Sequence, residues 1–294
     1  ALRLAVPSET EHITLVDEDI SHPDLRVRER QTTAGNDERE FAARRPGQFE
    51  VVAEFDLLLS PRADGGHRVE LEHLTPDDRA RYLRREDEFP KDHPVVQRIL
   101  QQIPKDSTTD IERLQWLFDY CARDIQSPPG EATTAAATAL ETGNGTPLAR
   151  ARAFVTLCRA ARMPARLVHG FEIRQQQDAE PHVWVEAFRD QQWVPFDPSY
   201  GFARYMPMNF VPVRRGGHAI IDASAASNTE QEFRITRLDP PASLLHSQKR
   251  HPLEIFNLQR LPVEMHEVMS LLLLLPLGAL ITAVMRNVVG LRTF

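Results

Sequence analysis

The chain has 294 residues, enough for about two domains, with 41% hydrophobic and 26% charged residues, an ordinary globular balance. A net charge of -7, with arginines scattered among acids, argues against a nucleic-acid partner or a phosphate-binding stripe. Two cysteines, Cys121 and Cys158, exclude a disulfide framework and a Cys-based zinc site. Both fall in helical patterns and read as small apolar core residues, with a disulfide between them left open.

Residues 1–45 are polar, with strand-like pieces at Ile13–Val16 and Leu25–Arg28. Gly47–Leu59 alternates and then runs apolar, the turn cluster 62–67 follows, and Arg68–Leu74 alternates again. This pattern predicts a hairpin in a strand-rich module over residues 1–85. Residues 76–106 read as helical pieces broken by Pro90, Pro94 and Pro104. Ser107–Asp110 then offers a helix start with an acidic first turn. Ile111, Leu114, Leu117, Phe118 and Cys121 recur at helical spacing, which predicts one buried face as far as about Ile125. The Ala/Thr tract 132–140 fits a short helix or a loop.

From Pro147 a second helix is marked by the stripe Leu148, Ala151, Phe154, Val155 and Cys158, with Arg150, Arg152, Arg159 and Arg162 largely outside it. Proline is tolerated in the first turn because its missing N–H would have no helical partner. Pro164 ends the helix. Ala165–Phe171, Val183–Phe188 and Gln192–Phe196 have strand character, joined by a tight turn at 190–192. Further strand-like pieces lie at Phe210–Val213, Ala219–Ile221 and Gln231–Leu238. Residues 243–264 form a polar linker.

Met269–Met285 is uncharged throughout, at the lower length limit for a membrane span. Pro276 and Gly278 are acceptable within such a helix. Arg286 and Arg292 follow it, whereas Glu264, His266 and Glu267 precede it. The positive-inside rule therefore predicts residue 294 in the cytoplasm and the globular part outside. A chain that begins with Ala and stops at Arg-Thr-Phe just past an apolar run is expected to be a piece of a larger membrane protein.

Three blocks of this chain come in a set order: Gly145-x-Pro147-x-x-x-Ala151-x-x-Phe154-Val155-x-Leu157-x-Arg159-Ala160 with Pro164-Ala165-Arg166, then His182-x-Trp184-x-Glu186, then Trp193-Val194-x-x-Asp197-Pro198. Together they resemble the transglutaminase-like, papain-like superfamily over about 55 residues. In its active members a Cys attacks an amide, a His takes its proton and an Asp orients the His. The chemistry needs a thiolate, which a helix N-terminus and a nearby imidazolium both favour. The resemblance implies an α+β fold, a helix packed on an antiparallel sheet, with the transglutaminase-like domain over 86–242. It places the base on His182, the orienting acid on Asp197 and the nucleophile on Pro147, which has no nucleophilic atom.

Thr146 is adjacent but needs a different local backbone to substitute. Cys158, eleven residues along the helix, lies roughly 16 Å away. Trp184 and Trp193 read as core or cleft-wall aromatics. Without a nucleophile, His182 and Asp197 serve equally as structural residues or as part of a binding cleft with Thr146, Trp184 and Trp193.

The apolar segment and the Arg286–Phe294 stretch further resemble bacterial inner-membrane proteins that fuse an inactive transglutaminase-like domain to seven transmembrane helices. That resemblance implies a periplasmic domain, no cofactor and no metal, a peptide or protein ligand in the former cleft, 265–294 as the first membrane helix, and a genetic setting beside ATP-grasp peptide ligases and retropepsin-like proteases. Inactive members often lose the His as well, whereas His182 and Asp197 persist here. An amidase, peptidase or cross-linking enzyme with a non-Cys nucleophile, and a structural periplasmic scaffold, are the competing expectations.

Overall fold

A computed structural model describes residues 2–10, 13–23, 25–45, 47–59, 73–128, 130, 132–174, 181–217, 219–223 and 230–236. In chain order the elements are β1 (Leu2–Ala5), β2 (Ile13–Ser21), β3 (Leu25–Gln31), β4 (Asp37–Ala43), β5 (Val52–Leu59), α1 (Pro76–Leu83), α2 (Pro94–Leu100), α3 (Asp110–Arg123), α4 (Ala136–Thr142), α5 (Pro147–Ala160), β6 (Ala165–Glu172), β7 (Pro181–Arg189), β8 (Gln192–Asp197), β9 (Phe202–Ala203), β10 (Phe210–Arg215) and β11 (Ile221–Asp222). The fold is α+β, with every named strand pairing antiparallel.

Local chemistry sets the helix starts. Thr75, Thr109 and Thr146 each cap a helix by accepting a backbone N–H, from Asp78, Glu112 and Ala149 respectively. Thr109 and Glu112 complete a capping box, as the Ser107–Asp110 signature predicts. Pro94, expected as a breaker, instead opens α2 at its first turn, where a missing N–H costs nothing. The Ala/Thr tract resolves into α4, closed by Gly143 in the left-handed conformation (φ 68°).

Helix α5 differs from its expected one-sided stripe. It is enclosed nearly all round: Ala149, Ala151, Ala153, Phe154, Val155, Leu157 and Cys158 are all fully buried. α3, α4, β6 and β7 pack around it. Small alanines on several faces let neighbours approach from each side, a burial that a single-stripe reading misses. Arg159, expected outside the stripe, is only 5% exposed and stays charged because Glu86 lies 3.3 Å from Nη1 and its Nε donates to the Ala165 carbonyl. Cys121 and Cys158 are both free and fully buried, and burial pushes both thiols up.

The main sheet has the order β10-β6-β7-β8-β9. Its α5-facing side presents Leu167, Val183, Val185, Ala187 and Phe196 to the helices. β7 and β8 are joined through Asp190 and Gln191, both with φ near +50 to +60° (48° and 62°), the type I′ geometry that matches strand twist. A second sheet, β11-β1-β4-β3, brings the chain's first strand beside residues 221–222. β5 pairs with β2, a partner the sequence reading did not give it, and the 68–74 half of the predicted hairpin lies almost wholly outside the described residues. β4 and β10 are joined by the buried Glu38–Arg214 ion pair at 2.7 Å and by Asn36, whose amide exchanges two 2.7 Å hydrogen bonds with the Arg215 backbone.

The apolar segment 269–285 and the strand-like end of Gln231–Leu238 lie outside the described residues, and residues 230–236 hold no named strand. Among the described residues no helix is long and apolar enough to cross a membrane.

Phe154 sits edge-on to Phe196 at 5.3 Å and to Phe118 at 6.0 Å, so it joins α3, α5 and β8 in one aromatic knot. Phe154→Ala should lower unfolding free energy by about 3–5 kcal/mol in urea denaturation of the chain, the usual range for deleting a fully buried ring.

Candidate functional site

The knot also fixes the site. Side chains alternate along a strand, so pinning Phe196 toward α5 sends its neighbour Asp197 to the opposite face. Val183, packed in the same core, does the same for His182 and Trp184. The register pairs His182 with Gly170 and Trp184 with Val168. A Cβ on Gly170 would lie 2.7 Å from the Trp184 ring, so only glycine lets that indole lie across β6.

His182 Nε2 donates to Asp197 Oδ2 at 2.6 Å. The other carboxylate oxygen accepts from the backbone N–H groups of Ser199 and Tyr200, at 2.8 and 3.2 Å. Asp197 is fully buried and the His182 side chain 13% exposed. Three donors on one buried carboxylate offset the cost of removing its charge from water. With Nε2 committed, Nδ1 is the ring nitrogen left for another group.

The imidazole sits in an aromatic setting. Tyr200 stacks on it at 4.8 Å and 14°, Trp184 lies near-parallel at 6.4 Å and 21°, and Phe210 meets it edge-on at 5.5 Å. The Tyr200 hydroxyl donates to Glu172 Oε2 at 3.1 Å and accepts from Arg174 at 2.7 Å. Arg174, then Tyr200 and the nearby His182, holds the Glu172 carboxyl below the usual range against the opposing effect of burial. Burial, then Glu172, pushes the Tyr200 hydroxyl up.

The start of α5 is built separately. Gly145 is held between strands of loop: its N–H donates to the Gln126 carbonyl at 2.8 Å and its own carbonyl accepts from Ser127 Oγ at 2.7 Å. A Cβ there would lie 2.8 Å from Ala149 and 2.9 Å from Ala139. Thr146 Oγ1 is engaged as the cap of Ala149 at 3.2 Å, and Pro147 is exposed. One turn on, burial lowers the Arg150 guanidinium pKa, against the opposing effect of the Asp197 carboxylate.

The structure therefore groups His182, Asp197 and Trp184. The described hydrogen-bond partners of Thr146 are Thr133, Ala149 and Arg150, not His182. Trp193 belongs to another cluster: it lies edge-on to Tyr82 and Phe188, with the Arg166 guanidinium 3.8 Å from its ring centroid. It stands opposite Phe188, four residues along β7 from Trp184 and so about 13 Å away. Two depressions, of about 310 and 540 Å³, are lined by residues such as Arg79, Asp110 and Gln191, and Asp77, Arg81 and Lys91; neither includes Pro147, His182 or Asp197. Tyr200 and Phe210 were not singled out from sequence. Tyr200 had a local signal, three residues past Asp197 in an Asp-Pro-Ser-Tyr turn; Phe210 had none, because only the β10–β6 pairing brings it in. No group of three or more His, Cys, Asp or Glu that could hold a metal occurs among the described residues.

Residues 97–198 match the transglutaminase-like superfamily model, and residues 210–294 match the model described as seven transmembrane helices usually fused to an inactive transglutaminase. Among solved structures, a candidate cysteine protease from Cytophaga hutchinsonii is 18% identical at TM-score 0.54, over 73% of this chain and 76% of that one. The periplasmic domain of TgpA from Pseudomonas aeruginosa, bound to ethylmercury, is 19% identical at TM-score 0.41, over 66% and 69%. No curated protein matches. A buried helix backing an antiparallel sheet with a His–Asp pair at its end is thus a transglutaminase-like core. Within that class the chain is similar, over residues 210–294, to the family described as seven transmembrane helices usually fused to an inactive transglutaminase.

Asp197→Ala strands three buried or half-buried donors, whereas Asp197→Asn keeps an acceptor for the two N–H groups. Urea unfolding should therefore show Ala costing about 2–4 kcal/mol and Asn measurably less, the scale expected for breaking charged hydrogen bonds.

Proposed function

We propose that this is a catalytically inactive, extracytoplasmic transglutaminase-like domain of an inner-membrane protein. It binds a peptide or amidated ligand at the former catalytic site and passes that state to the membrane helices. In this reading the chain divides into a strand-rich module (1–85), the transglutaminase-like domain (86–242), a linker (243–264) and the first membrane helix (265–294). The observation that carries it is the proline at the start of α5, the position to which the superfamily motif assigns a thiol, in a chain that keeps a His182–Asp197 pair at 2.6 Å.

Neither substitute nucleophile is well placed. Thr146 already spends its hydroxyl oxygen on the helix cap, worth about 1 kcal/mol. Cys158 is fully buried with its thiol pushed up, so it supplies no thiolate near neutral pH. Because the His182 side chain is only 13% exposed, a ligand would engage it along the edge left by Tyr200 rather than in a deep pocket. His182 Nδ1 and the Tyr200–Glu172–Arg174 group offer both an acceptor and donors to an amide.

A panel of peptides, including γ-glutamyl and cell-wall peptides, tests this by thermal melting of the detergent-solubilised membrane protein. A binder should raise the melting temperature by linkage, lose that shift in His182→Ala, and remain unhydrolysed. No shift from any peptide contradicts ligand binding and favours a scaffold; hydrolysis abolished by Thr146→Ala contradicts inactivity.

A further inference from the structure

The corner between α5 and β6 carries an arginine where helix chemistry favours glycine. α5 ends in a Schellman motif: the Met163 N–H donates to the Cys158 carbonyl at 2.8 Å and the Arg162 N–H to the Arg159 carbonyl at 3.1 Å. The residue that closes such a motif is left-handed and usually glycine. Here it is Arg162, at φ 63°. A strained position that glycine would fill without strain points to a task for the side chain.

Arg162 lines the cavity of about 310 Å³, together with Arg79 of α1 and Arg189, the last residue of β7. Three arginines far apart in sequence thus meet at one cavity, a grouping that no stripe in the sequence shows. Leu114, Met163 and Ala187, buried members of the main core, give it an apolar wall. Two acids line it as well, and each has an arginine of its own: Arg189 Nε donates to Asp190 Oδ2 at 2.8 Å, and Arg113 lies 3.9 Å from Asp110. Among the described residues Arg79 and Arg162 form no ion pair. Arg189 Nη1 is buried without a hydrogen-bond acceptor. An exposed arginine is ordinarily solvated; the buried Nη1 and the left-handed Arg162 set this group apart. A buried donor without an acceptor is costly, and guanidinium forks match the oxygens of carboxylate and phosphate.

We infer that this cavity binds a small organic anion, with Arg79, Arg162 and Arg189 holding a carboxylate or phosphate head and the apolar wall taking its body. Pockets for small molecules start at about 300 Å³, so the cavity has room for more than a bare oxyanion. A bound anion would tie α1, the α5–β6 corner and the β7–β8 turn together. The cavity includes neither His182 nor Asp197, so the inference does not depend on peptide binding at that pair.

The test measures arginine modification by phenylglyoxal in the detergent-solubilised membrane protein, read residue by residue by peptide mass spectrometry. Phenyl phosphate and, separately, benzoate are the probes. Arg79 and Arg162 are exposed to the reagent, as are Arg26 and Arg28 of β3, which serve as references. Binding predicts that a probe slows modification of Arg79 and Arg162 saturably, by about tenfold at roughly ten times its dissociation constant, and leaves Arg26 and Arg28 unchanged. Protection by phenyl phosphate alone assigns a phosphate head, by benzoate alone a carboxylate head, and by both a site that takes either. Arg162→Gly should lose most of the protection of Arg79 without lowering the melting temperature, because glycine fits the left-handed position. No protection from either probe, or equal slowing at all four arginines, overturns the proposal. So does protection of Arg79 that survives unchanged in Arg162→Gly.

Discussion

The packing of α5 against the main sheet is the constraint on which the rest depends. A helix buried on nearly every side cannot slide or rotate without opening a cavity, and Phe154, Phe118 and Phe196 lock it to β8. Phe196 directly precedes Asp197. The alternation of a strand then converts a packing decision on one face into the position of a carboxylate on the other. The charges that border the helix are consequences of the same burial: Arg159 is satisfied by Glu86, and Arg152 by Glu88.

The His182–Asp197 pair is expensive to keep. A fully buried carboxylate needs its donors, and it has three. Two of them are turn N–H groups, so Asp197 organises the bend into β9 as well as the imidazole. In the reading proposed above, with Pro147 at the nucleophile position, that double duty gives the pair a structural reason to be kept. In that reading, proline in place of a thiol removes a reactive atom and little structure, because proline is well suited to the first turn of a helix. Losing Asp197 would unsatisfy a turn, a histidine and a buried aromatic cluster together.

Much of this was legible in the sequence wherever the cause is local. The helix start at Ser107–Asp110, the first-turn proline of α5, the tight turn at 190–192, the boundaries of α3 and α5, and the order helix, His strand, Asp strand all follow from neighbouring residues. What escaped depends on pairing distant in sequence. β2 takes β5 as partner, β10 pairs with β6 across the intervening β7–β9, and β11 returns to β1. Phe210 reaches His182 only through the second of these. The all-round burial of α5 escaped because alanine scores weakly as a core residue, yet its small size is what admits neighbours on several faces. Trp184 and Trp193 look alike in the motif, but their register separates them into different clusters.

The account's central claim is that the helix start and the His182–Asp197 pair still form a transglutaminase-like arrangement that lacks only its sulfur. Introducing Pro147→Cys in the membrane protein and measuring the rate of alkylation by a thiol-directed probe against pH tests it most directly. An intact arrangement predicts a thiolate already reactive near pH 7, well below the ordinary thiol range near 8.5, with that reactivity lost in the additional variants His182→Ala and Asp197→Asn. A cysteine that reacts only as an ordinary surface thiol, indifferent to His182, would contradict it.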